Sequence, residues 1–200
     1  VWSNGVKCLN YLGLEQQTAE LGGIVEEMSY VDAFTGETMC LFPMQPLIDE
    51  VGQRPYPIAR AELQLMLMQA YGIDDIHFGM KMVDVRDGED AATATFADGT
   101  TVSADVIIGA DGASSITREY VLGHPVTRRY AGYVNYNGLV EVDERIGPPT
   151  RWTTYVGAGK RVSVMPVAGN RFYFFFDVLE PQGVDYDRAS AREVLREHFA

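Results

Sequence analysis

The sequence is poor in cysteine and has no long apolar run, and each absence excludes a class of protein. Only Cys8 and Cys40 occur, without the C-x-x-C spacing of redox and zinc motifs, so a disulfide framework is excluded. We therefore expect two free, mostly buried thiols in the reducing cytoplasm. No stretch approaches the ~18 apolar residues of a membrane-spanning helix, and the first residues lack the layout of a signal peptide.

Positive charge and histidine are also scarce. The chain has 16 Lys and Arg against 28 Asp and Glu residues. The resulting net charge of −12 excludes nucleic acid and anionic membranes as expected partners. His77, His124 and His198 lack metal-ligand spacing, so we expect no metal site. Hydrophobic residues, in contrast, make up 46% of the chain, which is enough to bury the core of one large or two small domains.

Local patterns divide the chain into a mixed α/β region over residues 1–125 and a β region over residues 126–200. In the first region, helical periodicity and turn residues predict a series of short elements. These are a helix over 4–21 interrupted at Gly13, a hairpin of 25–34 and 37–42 turning at Thr35-Gly36, a connecting loop over 43–57, a helix over 60–70, and a β-rich stretch over 76–108 turning at Asp98-Gly99.

The β region reads as four successive strands separated by turns that contain glycine, proline and asparagine. The predicted strands are 133–142, 151–156, 161–167 and 171–179, followed by a helix over 187–199. Consecutive strands joined by short turns favour an antiparallel meander over another βαβ layer.

The segment ADVIIGADGASSITREYVLG, residues 104–123, joins the two regions. Its apolar run at 106–108 predicts a short buried strand, the glycines at 109 and 112 predict a tight turn, and Ser114 or Ser115 can cap a helix that ends near Leu122. A strand, a glycine-rich turn and a helix start are typical of an anion cradle. Asp111 would repel a phosphate placed directly on it, so we expect its carboxylate to orient nearby backbone or to bridge to a ribose or a water.

Polar side chains recur on alternate positions of the predicted strands, and alternate residues point to the same face of a sheet. Three pairs share a face in this way: Asn135 with Asn137, Arg161 with Ser163, and Tyr173 with Phe175. If the three faces coincide, they form a pocket for a flat, polar, anionic heterocycle, because Arg supplies planar paired donors and an amide both donates and accepts. Taken alone, each residue also fits a structural role: a solvated hairpin arginine, a core tyrosine or an edge asparagine.

Three segments together resemble the FAD-dependent aromatic-ring monooxygenases. They are RPYPIARAELQLMLMQAYG with its R-x-x-L helix at Arg60, the segment of residues 104–123 with its Asp-Gly motif that ends in Arg118, and RRYAGYVNYNGLVEVDE followed by WTTYVGAGKRVSVMPVAGNRFYFFFD. The third segment closely resembles bacterial FAD-dependent urate hydroxylases. The resemblance covers essentially the whole chain and implies an α/β (α+β) fold. This fold has part of a Rossmann-like FAD/NAD(P)-binding domain of the p-hydroxybenzoate hydroxylase type over 1–125, and part of an antiparallel β substrate domain over 126–200.

The resemblance also implies an activity and a set of site residues. Such enzymes pass electrons from NADH to FAD, react the reduced flavin with O2, and use the flavin C4a-hydroperoxide to hydroxylate urate to 5-hydroxyisourate. Asn135 and Arg161 would bind urate, Arg161 and Tyr173 would be the catalytic residues, with Tyr173 orienting the substrate, and the FAD contacts would come from Arg60, Met82 and Asp111. Two alternatives remain open: a hydroxylase of a hydroxybenzoate- or hydroxynicotinate-type acid, and a non-catalytic binding fragment. Either a monomer or a homodimer is expected.

One feature of the family is missing from these 200 residues. The family begins with a strand and a GxGxxG motif for the FAD pyrophosphate, and it carries a later GDAxH segment that also contacts the flavin. Neither motif occurs here. We therefore expect an interior piece of a longer enzyme that holds the substrate sheet but only part of the flavin site.

Overall fold

The computed structural model describes residues 1–183 and 189–199, which form two compact units. One unit comprises Val1–Tyr71 and Tyr130–Ala200, and the other comprises Gly72–Arg129. This division differs from the expected one at residue 125, because the hairpin in the first 71 residues belongs to the same sheet as the strands after residue 130.

The first unit is built on a six-stranded sheet with the order β2-β1-β7-β8-β9-β6. The strands are β1 (Glu27–Asp32), β2 (Thr38–Pro43), β6 (Tyr133–Glu141), β7 (Arg151–Gly157), β8 (Lys160–Val167) and β9 (Arg171–Leu179). All neighbours are antiparallel except β1 and β7, which pair in parallel.

The expected four-strand meander is wrong in one respect. Strands β7, β8 and β9 follow one another across the sheet, but β6 pairs with β9 and not with β7. Strand β7 already has β8 on one edge and β1 on the other, so β6 takes the free edge of β9. In addition, the parallel pairing of β1 and β7 makes this a mixed parallel and antiparallel sheet.

Aromatic residues of β9 and a terminal helix cover one face of this sheet. Helix α6 spans Ala191–Phe199, and Phe199 packs edge-on against Phe176 with ring centroids 4.9 Å apart. Phe172 and Val178 are fully buried. The start of this helix predicted at residue 187 lies outside the described residues.

Four helices complete the first unit. They are α1 (Ser3–Tyr11), α2 (Glu15–Leu21), α3 (Gln45–Val51) and α4 (Arg60–Tyr71). Gly13 has a φ of 77° and separates α1 from α2 as the sequence predicts. Leu9, Leu14 and Met66 form a core between these helices. At Gly23 a Cβ would lie 2.0 Å from the carbonyl oxygen of Pro166, so this close approach of two backbones requires glycine.

The second unit is a three-stranded antiparallel sheet with one helix against it. Its elements are β3 (Met82–Asp87), β4 (Ala92–Phe96), β5 (Thr101–Ala104), two single 3-10 turns (Ile73–Asp75 and Gly112–Ser114) and α5 (Ile116–Leu122). The predicted turn at Asp98-Gly99 joins β4 to β5. The predicted buried strand at 106–108 is wrong, since this segment is irregular and Val106 and Ile108 are 71% and 86% exposed. A buried strand needs hydrogen-bonded neighbours and covered faces, and the described residues give this segment neither.

Two other expectations concern cysteine and the membrane. Cys8 and Cys40 are free as expected but exposed, because Cys8 lies away from the buried face of α1 and β2 is an exposed edge strand. Among the helices of residues 1–183 and 189–199, none combines the length and apolar character that crossing a membrane requires.

Candidate active site

The strand register places the predicted substrate residues in one row. Asn135 of β6 lies directly opposite Asp177 of β9, which lies directly opposite Arg161 of β8. Two residues along, Asn137, Phe175 and Ser163 form the next row. Because side chains alternate between faces, both rows face the same side of the sheet. The condition set by the sequence analysis, that the polar faces coincide, is therefore met.

A chain of hydrogen bonds connects the row. The Nε of Arg161 donates to Oδ2 of Asp177 at 2.8 Å, and Nη2 of Arg161 bonds the same oxygen. The amide Nδ2 of Asn135 donates to Oδ1 of Asp177 at 2.7 Å, and Nδ2 of Asn137 donates to Oδ1 of Asn135 at 2.8 Å. The Asp177 side chain is only 12% exposed, whereas the Arg161 side chain is 49% exposed. The carboxylate thus anchors a guanidinium that still reaches solvent.

Two aromatic rings lie beside this network. The guanidinium carbon of Arg161 is 5.2 Å from the centroid of the Phe175 ring, which is within cation–π range. The Tyr173 ring lies 6.2 Å from Phe175 at an angle of 49°. Burial and the nearby negative charge of Asp177 raise the pKa of Tyr173 above its ordinary value. The Tyr173 phenol is therefore protonated at neutral pH and able to donate a hydrogen bond.

A cavity of about 340 Å³ opens next to the ion pair. Arg161 and Asp177 line it together with Tyr133, Lys160 and Leu179. Its volume is at the lower end of the range for small-molecule sites. The free part of the Arg161 guanidinium can therefore meet a small planar ligand here.

Sequence reasoning missed Asp177 and Trp152. Asp177 ends the run RFYFFFD, and its alternate spacing from Tyr173 and Phe175 was a signal that could have placed it on the polar face. Trp152 donates from Nε1 to Oγ of the fully buried Ser163 at 2.6 Å, and it lines a second, mainly apolar cavity of about 200 Å³ with Met44 and Met165. No sequence pattern indicated this contact, because β7 and β8 bring the two residues together through their register.

The Asp-Gly segment uses its carboxylate locally. Asp111 Oδ1 accepts a hydrogen bond from the Ser115 hydroxyl at 2.5 Å, and its Oδ2 accepts from the backbone N–H groups of Ile116 and Thr117 at 3.0 and 3.2 Å. The hydrogen bond from the Ser115 hydroxyl, followed by that from the Thr117 N–H, lowers the pKa of Asp111 to about 2. Ser115 itself caps α5 by accepting from the N–H of Arg118 at 2.9 Å, as one of the two predicted capping serines. Of the roles expected for Asp111, these contacts correspond to the orientation of nearby backbone.

A protein-family model described as FAD binding domain matches residues 3–199. The chain belongs to this family. The FAD-dependent urate hydroxylase of Mycolicibacterium vanbaalenii is 77% identical over 202 residues, which cover all of this chain and 51% of that protein. Klebsiella pneumoniae HpxO, solved in complex with FAD and uric acid, is 48% identical with a TM-score of 0.96, and the match covers 100% of this chain and 51% of that one.

A salicylate hydroxylase solved as a substrate complex is 22% identical with a TM-score of 0.75 over 94% of this chain and 51% of that one, and it is similar in fold alone. Family membership and these neighbours confirm the expected family and the mixed α/β fold class. The chain spans about half the length of the relatives that it matches.

Arg60, one of the expected FAD contacts, is placed where it is free to meet a ligand. It is the first residue of α4, its side chain is exposed, and no described residue forms a hydrogen bond or an ion pair with it. Two neighbours fix the helix beneath it. Leu63 packs on the core of Leu9, Leu14 and Met66, and Glu62 forms an ion pair with Arg171 of β9 at 2.7 Å.

The other two expected FAD contacts, Met82 and Asp111, lie in the second unit. Met82 is the first residue of β3 and is half-buried. A shift in register follows it before Asp84, which leaves irregular backbone at this point. Gly112, next to Asp111, has a φ of 76° and open space where a Cβ would stand, so a ligand can approach the backbone of this turn. Both positions are compatible with contacts made through backbone atoms.

Proposed function

We propose that the full-length protein is an FAD-dependent monooxygenase that hydroxylates urate to 5-hydroxyisourate with NADH and O2. The observation that carries this proposal is the row Asn135–Asp177–Arg161, which presents amide and guanidinium groups on one face of the sheet, with Arg161 over the Phe175 ring and lining a small cavity. Further support comes from the 77% identity to a FAD-dependent urate hydroxylase and from the similar fold of HpxO, which was solved with FAD and uric acid.

Counting donors and acceptors shows what the row can offer to urate. Arg161 has five N–H groups and uses two of them on Asp177, so three stay available to the oxygens of an anionic substrate. Asn135 uses one N–H on Asp177 and one lone pair on Asn137, so it retains one donor and one acceptor. A purine ring edge also alternates between N–H donors and carbonyl acceptors, so Arg161 and Asn135 together match it.

Each residue then has a distinct role. Asn135 and Arg161 bind urate, and Arg161 also stabilises the negative charge that develops during hydroxyl transfer, because its positive charge is already oriented before reaction. The protonated Tyr173 donates a hydrogen bond that sets the angle of the substrate ring. Arg60, Met82 and Asp111 contribute to holding FAD, which when bound supplies the redox and oxygen chemistry.

Two further properties belong to the same proposal. The enzyme works in the cytoplasm, which is supported by two free thiols and a net charge of −12 that disfavours membranes and nucleic acid. It acts on a small molecule, as a monomer or a homodimer.

The test is Arg161→Ala in the full-length protein. We expect 5-hydroxyisourate formation to fall about 100-fold, as for the loss of one pre-oriented charged donor, while FAD stays bound. Arg151→Ala is the matched control, since Arg151 forms an ion pair with Glu27 at 2.7 Å elsewhere in the sheet and should leave turnover unchanged. Unchanged urate turnover in Arg161→Ala would rule out the role assigned to this residue.

A substrate screen separates urate from the alternative acids. Arg161 also suits the carboxylate of a hydroxybenzoate or hydroxynicotinate, so each compound is tested for NADH oxidation, product and peroxide release. Coupled hydroxylation is expected with urate. The alternative would be favoured if urate stimulated NADH oxidation without being hydroxylated while an aromatic acid was hydroxylated with good coupling. A full-length protein without flavin absorbance would favour a non-catalytic binding role.

A further inference from the structure

Asp177 occupies the centre of the polar row and contacts both residues assigned to urate. It lies directly opposite Arg161 on one neighbouring strand and Asn135 on the other. We propose that Asp177 is a positioning residue, which fixes Arg161 and Asn135 in the orientation that couples NADH oxidation to hydroxylation. This inference rests on the proposed function and adds to it a residue that no substrate atom needs to touch.

The two carboxylate oxygens of Asp177 have separate partners. Oδ1 accepts from Asn135, while Oδ2 accepts from both Nε and Nη2 of Arg161. The residue is 9% exposed, so its negative charge depends on these donors rather than on water. A buried carboxylate held by two neighbouring strands is a rigid reference point for both side chains.

The contacts leave each substrate-facing side chain with one arrangement. Asp177 occupies the Nε edge of Arg161 and Phe175 covers a face of its guanidinium, so the Nη1 edge is left for a ligand. Asn135 donates an amide N–H to Asp177 and accepts from Asn137 at its Oδ1. These two bonds determine the positions of the nitrogen and the oxygen of the Asn135 amide. Without Asp177, Arg161 and Asn135 would regain other rotamers, and attack geometry would become variable.

Charge and position predict opposite effects on binding and on coupling. Asp177 partly neutralises Arg161, so removal of its charge should not weaken the attraction of a urate anion. Loss of one of its two acceptor oxygens should still misplace Arg161, because an amide leaves a single oxygen for the donors of both Asn135 and Arg161. We therefore expect a KM for urate that is unchanged or lower, with poorer coupling.

The test compares Asp177→Asn with wild type in the full-length holoenzyme, with Glu27→Gln as the matched control. Glu27 is the carboxylate of another ion pair of the same sheet, at 2.7 Å from Arg151. We expect Asp177→Asn to retain FAD content within about twofold and to lose at least about fivefold in 5-hydroxyisourate formed per NADH, with peroxide replacing it. Glu27→Gln should couple as wild type does. Coupling at the wild-type level in Asp177→Asn, or a loss that only follows loss of FAD, would overturn the proposal.

Two more variants keep the test decisive. Because Asp177 acts in part through Arg161, the double variant Asp177→Asn/Arg161→Ala should lose less coupling than the product of the two single losses, whereas fully multiplying effects would contradict the proposal. If Asp177→Asn fails to fold, Asp177→Glu keeps the charge but moves it by one methylene, and we expect coupling to fall at least about twofold. Wild-type coupling in Asp177→Glu would overturn the positioning role. A wild-type enzyme that does not hydroxylate urate would overturn the proposed function itself, which is a separate outcome.

Discussion

At the scale of single residues, the chemistry of the site depends on which groups are already occupied within the protein. Arg161 offers a ligand its Nη1 edge, because a carboxylate occupies the Nε edge and an aromatic ring covers one face of the guanidinium. Tyr173 contacts Phe175 through its ring and carries a phenol that no described residue bonds. Such a phenol is available to a substrate, and its raised pKa keeps the proton in place.

The substitution Tyr173→Phe isolates the contribution of that phenol. The ring packing on Phe175 is retained, so stability should change little, but the proposed hydrogen bond to the substrate is lost. At about 1 kcal/mol for a neutral hydrogen bond, we expect the ratio of peroxide to 5-hydroxyisourate to rise about fivefold. Simultaneous assays of NADH, peroxide and product give this ratio.

Tyr155→Phe is the control for Tyr173→Phe. Tyr155 donates to the carbonyl oxygen of Ile146 at 3.3 Å and lies on the other face of the sheet, so its loss should not alter coupling. A Tyr173→Phe enzyme that couples as wild type does would remove Tyr173 from the site.

At the scale of elements, helix α5 shows how one carboxylate stabilises a short helix. Asp111 accepts from Ser115 and from two N–H groups of the first turn, which have no partner within the helix. Its folded pKa of about 2 lies below the ordinary value of 3.8. A depressed pKa means that the carboxylate contributes stability above the ordinary pKa, and that this contribution is lost as pH falls toward the folded pKa.

We therefore predict a pH-dependent effect of Asp111→Asn. The variant should unfold at a lower temperature than wild type at pH 7, and the difference should shrink between about pH 5 and pH 2, where the wild-type advantage disappears. Circular dichroism melting curves over this range provide the measurement. Asp105→Asn is the control, because no described residue donates a hydrogen bond to Asp105. A difference in melting temperature between the variant and wild type that stays constant from pH 7 to pH 2 would contradict the stabilising role of the Asp111 carboxylate.

The elements that the sequence predicted share local signals. Gly13 separates α1 from α2, Gly36 lies in the turn of the first hairpin, and Asp98-Gly99 joins β4 to β5. In each case the sequence shows a glycine, and the structure gives that glycine a positive φ. Pairing between distant strands has no such signal. Ser29 donates to Thr153 at 3.1 Å across 124 residues, and nothing near either residue indicates that β1 lies beside β7.

The candidate site was predictable to the same extent. Alternation along single strands predicted which side chains share a face, and the register of β6, β8 and β9 then brought Asn135 and Arg161 to one row. The partner that joins them, Asp177, was missed because its role arises only from that register. The irregular stretch at 106–108 was misassigned for the opposite reason, since apolar composition alone predicts a strand without supplying its neighbours.

At the scale of the whole molecule, acidity and substrate charge must be reconciled. A net charge of −12 opposes the approach of an anion, and Arg161, the positive group of the polar row, is paired with Asp177. Long-range attraction therefore contributes little. In the proposed function, urate is therefore recognised through short-range hydrogen bonds whose donors are already oriented, and the proposed positioning by Asp177 then matters more than charge.

Residues 1–200 should bind FAD only weakly by themselves. Residues 1–200 span about half the length of the relatives and contain the expected contacts Arg60, Met82 and Asp111, but no GxGxxG motif. In dinucleotide-binding folds that motif holds the pyrophosphate on a helix N-terminus, so much of the affinity depends on it. We expect residues 1–200 to bind FAD at least about 100-fold more weakly than the full-length protein, as measured by quenching of flavin fluorescence. Arg60→Ala should weaken the remaining binding further, while Arg145→Ala, at an exposed ion pair with Asp143, should not. Retention of equimolar FAD by residues 1–200 through gel filtration would show instead that these three contacts suffice.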